Sequence, residues 1–165
     1  MKTLYLMRHA KSSWSFDDLT DEQRPLNGRG REDAPRMGQA LAKRNIKLDL
    51  IISSGAVRAM TTAALVAKEL DYPPERLEVR PEIYHADVSA LLEVVRSCPD
   101  TAQSVLLVGH NNTISDFVTL LSPDAINEEM PTAGIVCLHF QTEAWASVDR
   151  AYSEFYFFDR PKDNH

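Results

Sequence analysis

The sequence predicts an α/β fold, a three-layer α/β/α sandwich around a mostly parallel sheet of about six strands. Three observations carry this. Short apolar runs of strand length recur along the 165 residues. Segments with apolar residues three and four apart separate the first four of these runs. Strands joined through helices pair in parallel, and the helices cover both faces of the sheet.

The strand candidates are residues 2–7, 48–53, 77–80, 104–109, 135–140 and 154–159. Leu4-Tyr5-Leu6-Met7 and Ser104-Val105-Leu106-Leu107-Val108-Gly109 do not alternate apolar with polar, so both read as strands buried on two faces. The first helix follows Gly30 and carries Ala34, Met37, Ala40, Leu41 and Ile46 at roughly helical spacing. Val57, Met60, Ala64, Leu65 and Ala67 mark the second, and Leu91, Leu92, Val94 and Val95 the third, with Asp87 or Ser89 as its N-cap. A fourth, with Ile114, Phe117, Val118 and Leu121, begins directly after His110, where Asn111 or Asn112 can cap it. Only a polar turn around residues 142–147 separates the last two strands, which predicts an antiparallel pair. Residues 11–30 show no periodicity, and loops of that length in compact domains are often functional. The tail from Arg160 is expected to fray.

The length suits one domain over residues 1–165, with enough chain to bury a real core. A hydrophobic content of 44% and a charged content of 25% are ordinary for a globular protein. The net charge of -6 argues against general nucleic-acid binding. An acidic chain that holds an anion must concentrate its positive charge locally, so individually placed arginines carry weight. No stretch approaches the ~20 apolar residues of a membrane helix, and no basic segment followed by an apolar one resembles a signal peptide. No membrane association is expected. Cys98 and Cys137 lie on different elements and read as reduced core residues of a cytoplasmic protein. The sequence is silent on oligomeric state.

Three short segments carry chemistry. Arg8-His9 follows the first strand, at the carboxyl end where open α/β sheets bind ligands. Ser53-Ser54-Gly55-Ala56-Val57-Arg58 puts Arg58 in the first turn of a helix. Arginine opposes the helix dipole there, so a ligand or a carboxylate partner is expected to hold it. Gly109-His110-Asn111-Asn112 is a strand–glycine–helix junction, whose free N–H groups suit an anion. Two strand ends that each deliver a histidine, one with an arginine beside it, suit a group such as phosphate. Each segment also has a plainer reading: a strand-end histidine bonded to backbone, a surface arginine, a capping turn. Lys11, Ser12 and Ser13 either add donors or are solvated loop residues. His85 and His139 are not expected to act in catalysis. A zinc site from His9, His85 and His110 is disfavoured, because the spacing lacks paired helical ligands and nearby cysteines.

In order, the segments Leu6-Met7-Arg8-His9-Ala10-Lys11-Ser12, Arg24-Pro25-Leu26-Asn27-Gly28-Arg29-Gly30, Ser53 to Ala63, Pro81-Glu82-Ile83-Tyr84 and Val108-Gly109-His110-Asn111 resemble the histidine phosphatase superfamily, with its phosphoglycerate-mutase-like fold. The length and the Arg-Pro-Leu segment look most like the small SixA-type phosphohistidine phosphatases. Ala10 departs from a frequent glycine and Gly55 from a frequent proline. The resemblance implies a phosphatase in which His9 is the nucleophile and becomes phosphorylated. It implies that Arg8 and Arg58 grip the phosphoryl oxygens, His110 stabilises the transferring group, and Ser12 and Asn111 help bind substrate. Glu82 takes the family's acidic position as candidate general acid and base, or is a solvated loop residue. Its importance is expected to depend on the leaving group. The resemblance implies neither cofactor nor metal, since guanidiniums and imidazoles supply the neutralising charge.

Other phosphatase chemistries do not fit. A cysteine-phosphatase loop needs arginine six residues after cysteine, where Ser104 and Glu143 stand. There is no Asp-x-Asp pair, no glycine followed by lysine, and no Gly-x-Ser-x-Gly elbow. The expected substrate is a phosphohistidine on a protein, in a signalling context. The alternatives are a small-molecule phosphomonoesterase using the same site and a catalytically weak, phosphate-binding regulatory module.

Overall fold

The computed structural model describes residues 1–164. The strands are β1 (Lys2–Arg8), β2 (Leu50–Ser53), β3 (Glu78–Val79), β4 (Ser104–Gly109), β5 (Ile135–Phe140) and β6 (Ser153–Asp159). The helices are α1 (Gly28–Lys43), α2 (Val57–Glu69), α3 (Val88–Arg96) and α4 (Thr113–Leu121). They build one six-stranded sheet in the order β3-β2-β4-β1-β5-β6. The pairs from β3 to β1 are parallel, and β5 is antiparallel to both β1 and β6. The hairpin predicted for the last two strands is therefore present.

Period-two side-chain alternation divides the core into two layers. Leu4, Leu6, Ile52, Val105 and Leu107 pack with α3 and α4 on one face. Tyr5, Met7, Ile51, Leu106 and Val108 pack with α1 and α2 on the other. Both faces of β1 and β4 are thus covered, which is why their sequences are continuously apolar. β3 is only two residues long and exposed, shorter than the expected 77–80. The Asp87 carboxylate caps α3 by accepting from the Ala90 N–H at 2.8 Å.

Two local expectations need correction. Neither asparagine caps α4. Its N-cap, Asn112, makes no side-chain capping bond, and the Asn111 side-chain oxygen accepts from the Ser115 hydroxyl. The segment from Arg160 is tied down rather than frayed. Pro161 is buried, and Arg160 pairs with Glu128 at 3.0 Å and Asp163 at 2.8 Å. His165, the last residue of the expected tail, lies outside the described residues. Among the described residues no helix is long and apolar enough to cross a membrane.

Candidate active site

Strand register brings the two histidines together. Arg8 at the end of β1 lies opposite Gly109 at the end of β4. The His9 N–H donates to the Gly109 carbonyl at 3.0 Å. The rings of His9 and His110 consequently sit 5.1 Å apart, centroid to centroid. β2 ends beside β4, where the Ser54 N–H donates to Val108, and the chain turns into α2 with Arg58 in its first turn. Thr62 ties these pieces together, accepting from the Ala10 N–H at 3.0 Å and donating to the Arg58 carbonyl at 2.7 Å.

The long loop after β1 folds back over the same sheet end. Ser12 bridges to Leu26, and the Asn27 N–H donates to the Lys11 carbonyl at 3.0 Å. The start of α1 then lies so close to Lys11 that a Cβ on Gly30 would stand 2.1 Å from that carbonyl oxygen. Only glycine fits there.

These elements enclose a cleft of about 510 Å³. Arg8, His9, Ser12, Arg58, His110 and Asn111 all line it, so six of the seven residues singled out from sequence converge. Lys11, Trp14, Asp21, Arg24, Tyr84, His85 and Thr132 complete the lining. The seventh, Glu82, does not line the cleft. It sits in the short turn Pro81–Ile83, half exposed, with its carboxylate turned to Arg80 at 2.9 Å. An arginine two residues away captures it, so its expected position as an acid facing the phosphoryl group is not the one observed.

The buried histidines are electrostatically unusual. The His9 Nδ1 lies 2.7 Å from the Ala10 carbonyl, which can only accept. Nδ1 therefore carries the proton, and in the neutral ring Nε2 holds the lone pair. Burial pulls the His9 pKa down to about 3, opposed by the Ala10 bond and aided by His110, Arg58 and Arg8. Burial and then Arg58 pull His110 down to about 4. Its Nε2 shares a hydrogen bond with the Ser54 hydroxyl at 2.8 Å. Both rings are neutral at pH 7 in this state.

The guanidiniums are anchored from behind. Arg8 donates to the Met130 carbonyl at 2.8 Å. Arg58 donates to the Asp21 carbonyl at 2.5 Å and to its carboxylate at 2.9 Å, so the expected carboxylate partner exists. The Nε atoms of both arginines are buried without a protein partner. An unpaired buried donor is costly, and both guanidiniums border the cleft, where their charge suits an oxyanion.

Asp21 is the residue that sequence reasoning missed most plainly. Its carboxylate accepts from the Tyr84 hydroxyl at 2.5 Å, from Arg58, and from Arg24 at 3.0 Å. The Tyr84 bond above all, helped by Arg58 and Arg24, holds its pKa far below the ordinary carboxylate range against the opposing effect of burial. Tyr84 also sets its ring edge-on to His110, with centroids 5.5 Å apart. Arg24 is buried, donates to the Ser12 hydroxyl at 2.8 Å, and stacks its guanidinium 3.5 Å from the centroid of the Trp14 ring. Arg24 and Tyr84 lie in segments that carry the family resemblance. Asp21 and Trp14 lie in the non-periodic stretch, where only its length was a signal.

A neutral, oriented imidazole facing two fixed guanidiniums can accept a phosphoryl group. The comparisons agree with that class of site. The sequence pattern of the histidine phosphatase superfamily (branch 1) matches residues 4–88, and the chain belongs to this family. It is a phosphatase, a hydrolase of phosphate-bearing substrates. An uncharacterised protein of Mycobacterium tuberculosis is 30% identical, covering 94% of this chain and all of its own length. The mitochondrial serine/threonine-protein phosphatase Pgam5 of Drosophila persimilis is 32% identical, covering 70% of this chain and 49% of the relative. Among solved structures, a provisionally named phosphohistidine phosphatase SixA from Agrobacterium tumefaciens superposes with a TM-score of 0.83 at 26% identity, covering 97% and 98% of the two chains. The protein histidine phosphatase SixA, complexed with tungstate, superposes with a TM-score of 0.81 at 21% identity, covering 98% of both, a likeness of fold.

Proposed function

We propose that this chain is a metal-independent protein phosphohistidine phosphatase acting through His9. The observation that carries the substrate class is the state of the carboxylates. Asp21 is the carboxylate lining the cleft among the described residues, and three donors keep it ionised. Glu82, the other candidate, is turned away to Arg80, whose hydrogen bond lowers its pKa. Neither is a ready proton donor. An alkoxide leaves poorly without general-acid help, commonly worth ~10²–10⁴-fold. The nitrogen leaving group of a phosphohistidine needs that help less. The likeness to a provisionally named SixA and to Pgam5, a protein phosphatase, supports a protein as the carrier of the phosphoryl group.

The reaction runs as two displacements at phosphorus. The lone pair of His9 Nε2 attacks phosphorus, a new P–N bond forms, and the bond to the substrate nitrogen breaks. That nitrogen keeps the electron pair and takes a proton from solvent. Arg8 and Arg58, which both line the cleft, hold the equatorial oxygens through their guanidinium donors. His110 bonds the same group, and its pKa rises as the phosphoryl charge arrives beside it. Water then attacks phosphorus, loses a proton, and releases His9 and inorganic phosphate. The guanidiniums supply the positive charge that a metal would otherwise bring.

A substrate screen tests this reading. Phosphohistidine protein, phosphoramidate and common alkyl phosphoesters would be compared by kcat/KM, with and without prolonged chelation. The reading expects the two P–N substrates to be preferred and chelation to have no effect. Preference for an alkyl ester would make the chain a phosphomonoesterase. Loss of activity on chelation, with recovery by one divalent ion, would overturn metal independence.

A further inference from the structure

The chain has two tryptophans, and the fold treats them oppositely. Trp145 is fully buried, whereas Trp14 is 76% exposed and borders the cleft. Trp14 is nonetheless held in place. The Arg24 guanidinium covers one face of the indole at 3.5 Å from its centroid. Arg24 is fixed in turn by Asp21, by the Ser12 hydroxyl and by the Ser13 carbonyl. One face of the ring is occupied by a cation, and the exposed area is what remains.

Burial orders the cleft from floor to mouth. His9 is 7% exposed, Arg58 5% and Arg24 8%, while Trp14 is almost open. A continuous set of contacts links these residues, from Arg58 through the carboxylate of the more exposed Asp21 to Arg24 and then Trp14. A cleft of about 510 Å³ holds far more than one phosphoryl group. The remaining space must take what the phosphoryl group is attached to.

We propose that Trp14 is a specificity residue, a pre-oriented platform on which a flat, ring-bearing leaving group stacks while its phosphoryl group is held by Arg8 and Arg58. That the ring is the imidazole of a phosphohistidine rests on the function proposed above. The platform itself rests on Trp14 and Arg24. Stacking on a ring already fixed from behind costs little side-chain ordering, so its attraction appears as substrate affinity.

Two measurements test it. In a His9→Ala chain, which cannot turn over, ligand binding is followed by tryptophan fluorescence, with Trp14→Phe in the same background as the control. Free phosphohistidine and phenyl phosphate should change the emission, inorganic phosphate should not, and the control should lose the response. In the otherwise unaltered enzyme, Trp14→Ala should raise KM for free phosphohistidine by up to roughly tenfold, with little change in kcat. Trp14→Phe should keep KM near its starting value. Turnover of phosphoramidate, which has no ring, should fall by clearly less than turnover of phosphohistidine, and circular dichroism reports intact folding. Equal losses on phosphoramidate and phosphohistidine, or no fluorescence response to ring-bearing ligands, would overturn the proposal. A response to phenyl phosphate in a protein whose parent does not hydrolyse phosphohistidine would keep the platform and remove only the imidazole.

Discussion

Asp21 and Glu82 are two carboxylates on segments that border one cleft, and the fold uses them differently. Asp21 sits in the irregular stretch after β1 and gathers Tyr84, Arg58 and Arg24 around itself. Glu82 sits in a short turn after β3 and binds Arg80, two residues back, at the protein surface. Position in a family pattern favours Glu82 as the acid. Hydrogen-bond partners show that the carboxylate inside the cleft is Asp21, and that it is an acceptor. What a carboxylate can do is decided by the donors around it more than by its place along the chain.

The largest effect that would sharpen this contrast comes from Asp21→Ala. It removes the carboxylate that Arg58 and Arg24 share while leaving their backbone and Ser12 contacts, and kcat/KM on a P–N substrate should fall by roughly 10- to 10²-fold through loosened orientation. Asp21→Asn keeps an accepting oxygen and should recover part of the loss. Equal losses in both variants, together with a displaced pH profile, would show that Asp21 moves a proton.

A second effect is on stability and reads the histidines rather than the carboxylates. His9 and His110 have native pKa values of about 3 and about 4, against an ordinary value of 6.5. As pH falls below 6.5 the unfolded chain takes up these protons and the native chain does not. Stability should therefore decline from about pH 6.5 toward pH 4, with each ring contributing a slope of up to about 1.4 kcal/mol per pH unit. Denaturant melts across this window should show the His110→Asn slope reduced by one such contribution. An unchanged slope would mean that His110 titrates normally in the native protein.

The smallest effect is expected for Glu82→Gln. A surface ion pair contributes little, so kcat/KM should stay within about twofold on both P–N and ester substrates. A large loss confined to esters would return Glu82 to the role of general acid and reverse the contrast with Asp21.

The same contrast shows where the sequence was readable. β1 and β4 were legible because strands covered on both faces must be apolar throughout, and β5 and β6 because only a polar turn separates them. β3 was overextended because only two exposed residues pair with β2. Arg8, His9, Arg58 and His110 were legible because strand ends and a helix start present them. Asp21 and Trp14 were not, since a loop without periodicity shows no direction until tertiary contacts such as Gly30 on Lys11 set its path. Glu82 failed for a local reason: a turn placed Arg80 within its reach.

The central claim is that His9 takes the phosphoryl group. The direct measurement is rapid acid-free quenching during turnover of a radiolabelled P–N substrate, followed by peptide mapping of the label. The account predicts an acid-labile, alkali-stable phosphate on the peptide containing His9, and neither label nor turnover in His9→Ala. Label on another residue, or turnover that survives the loss of His9, would contradict it.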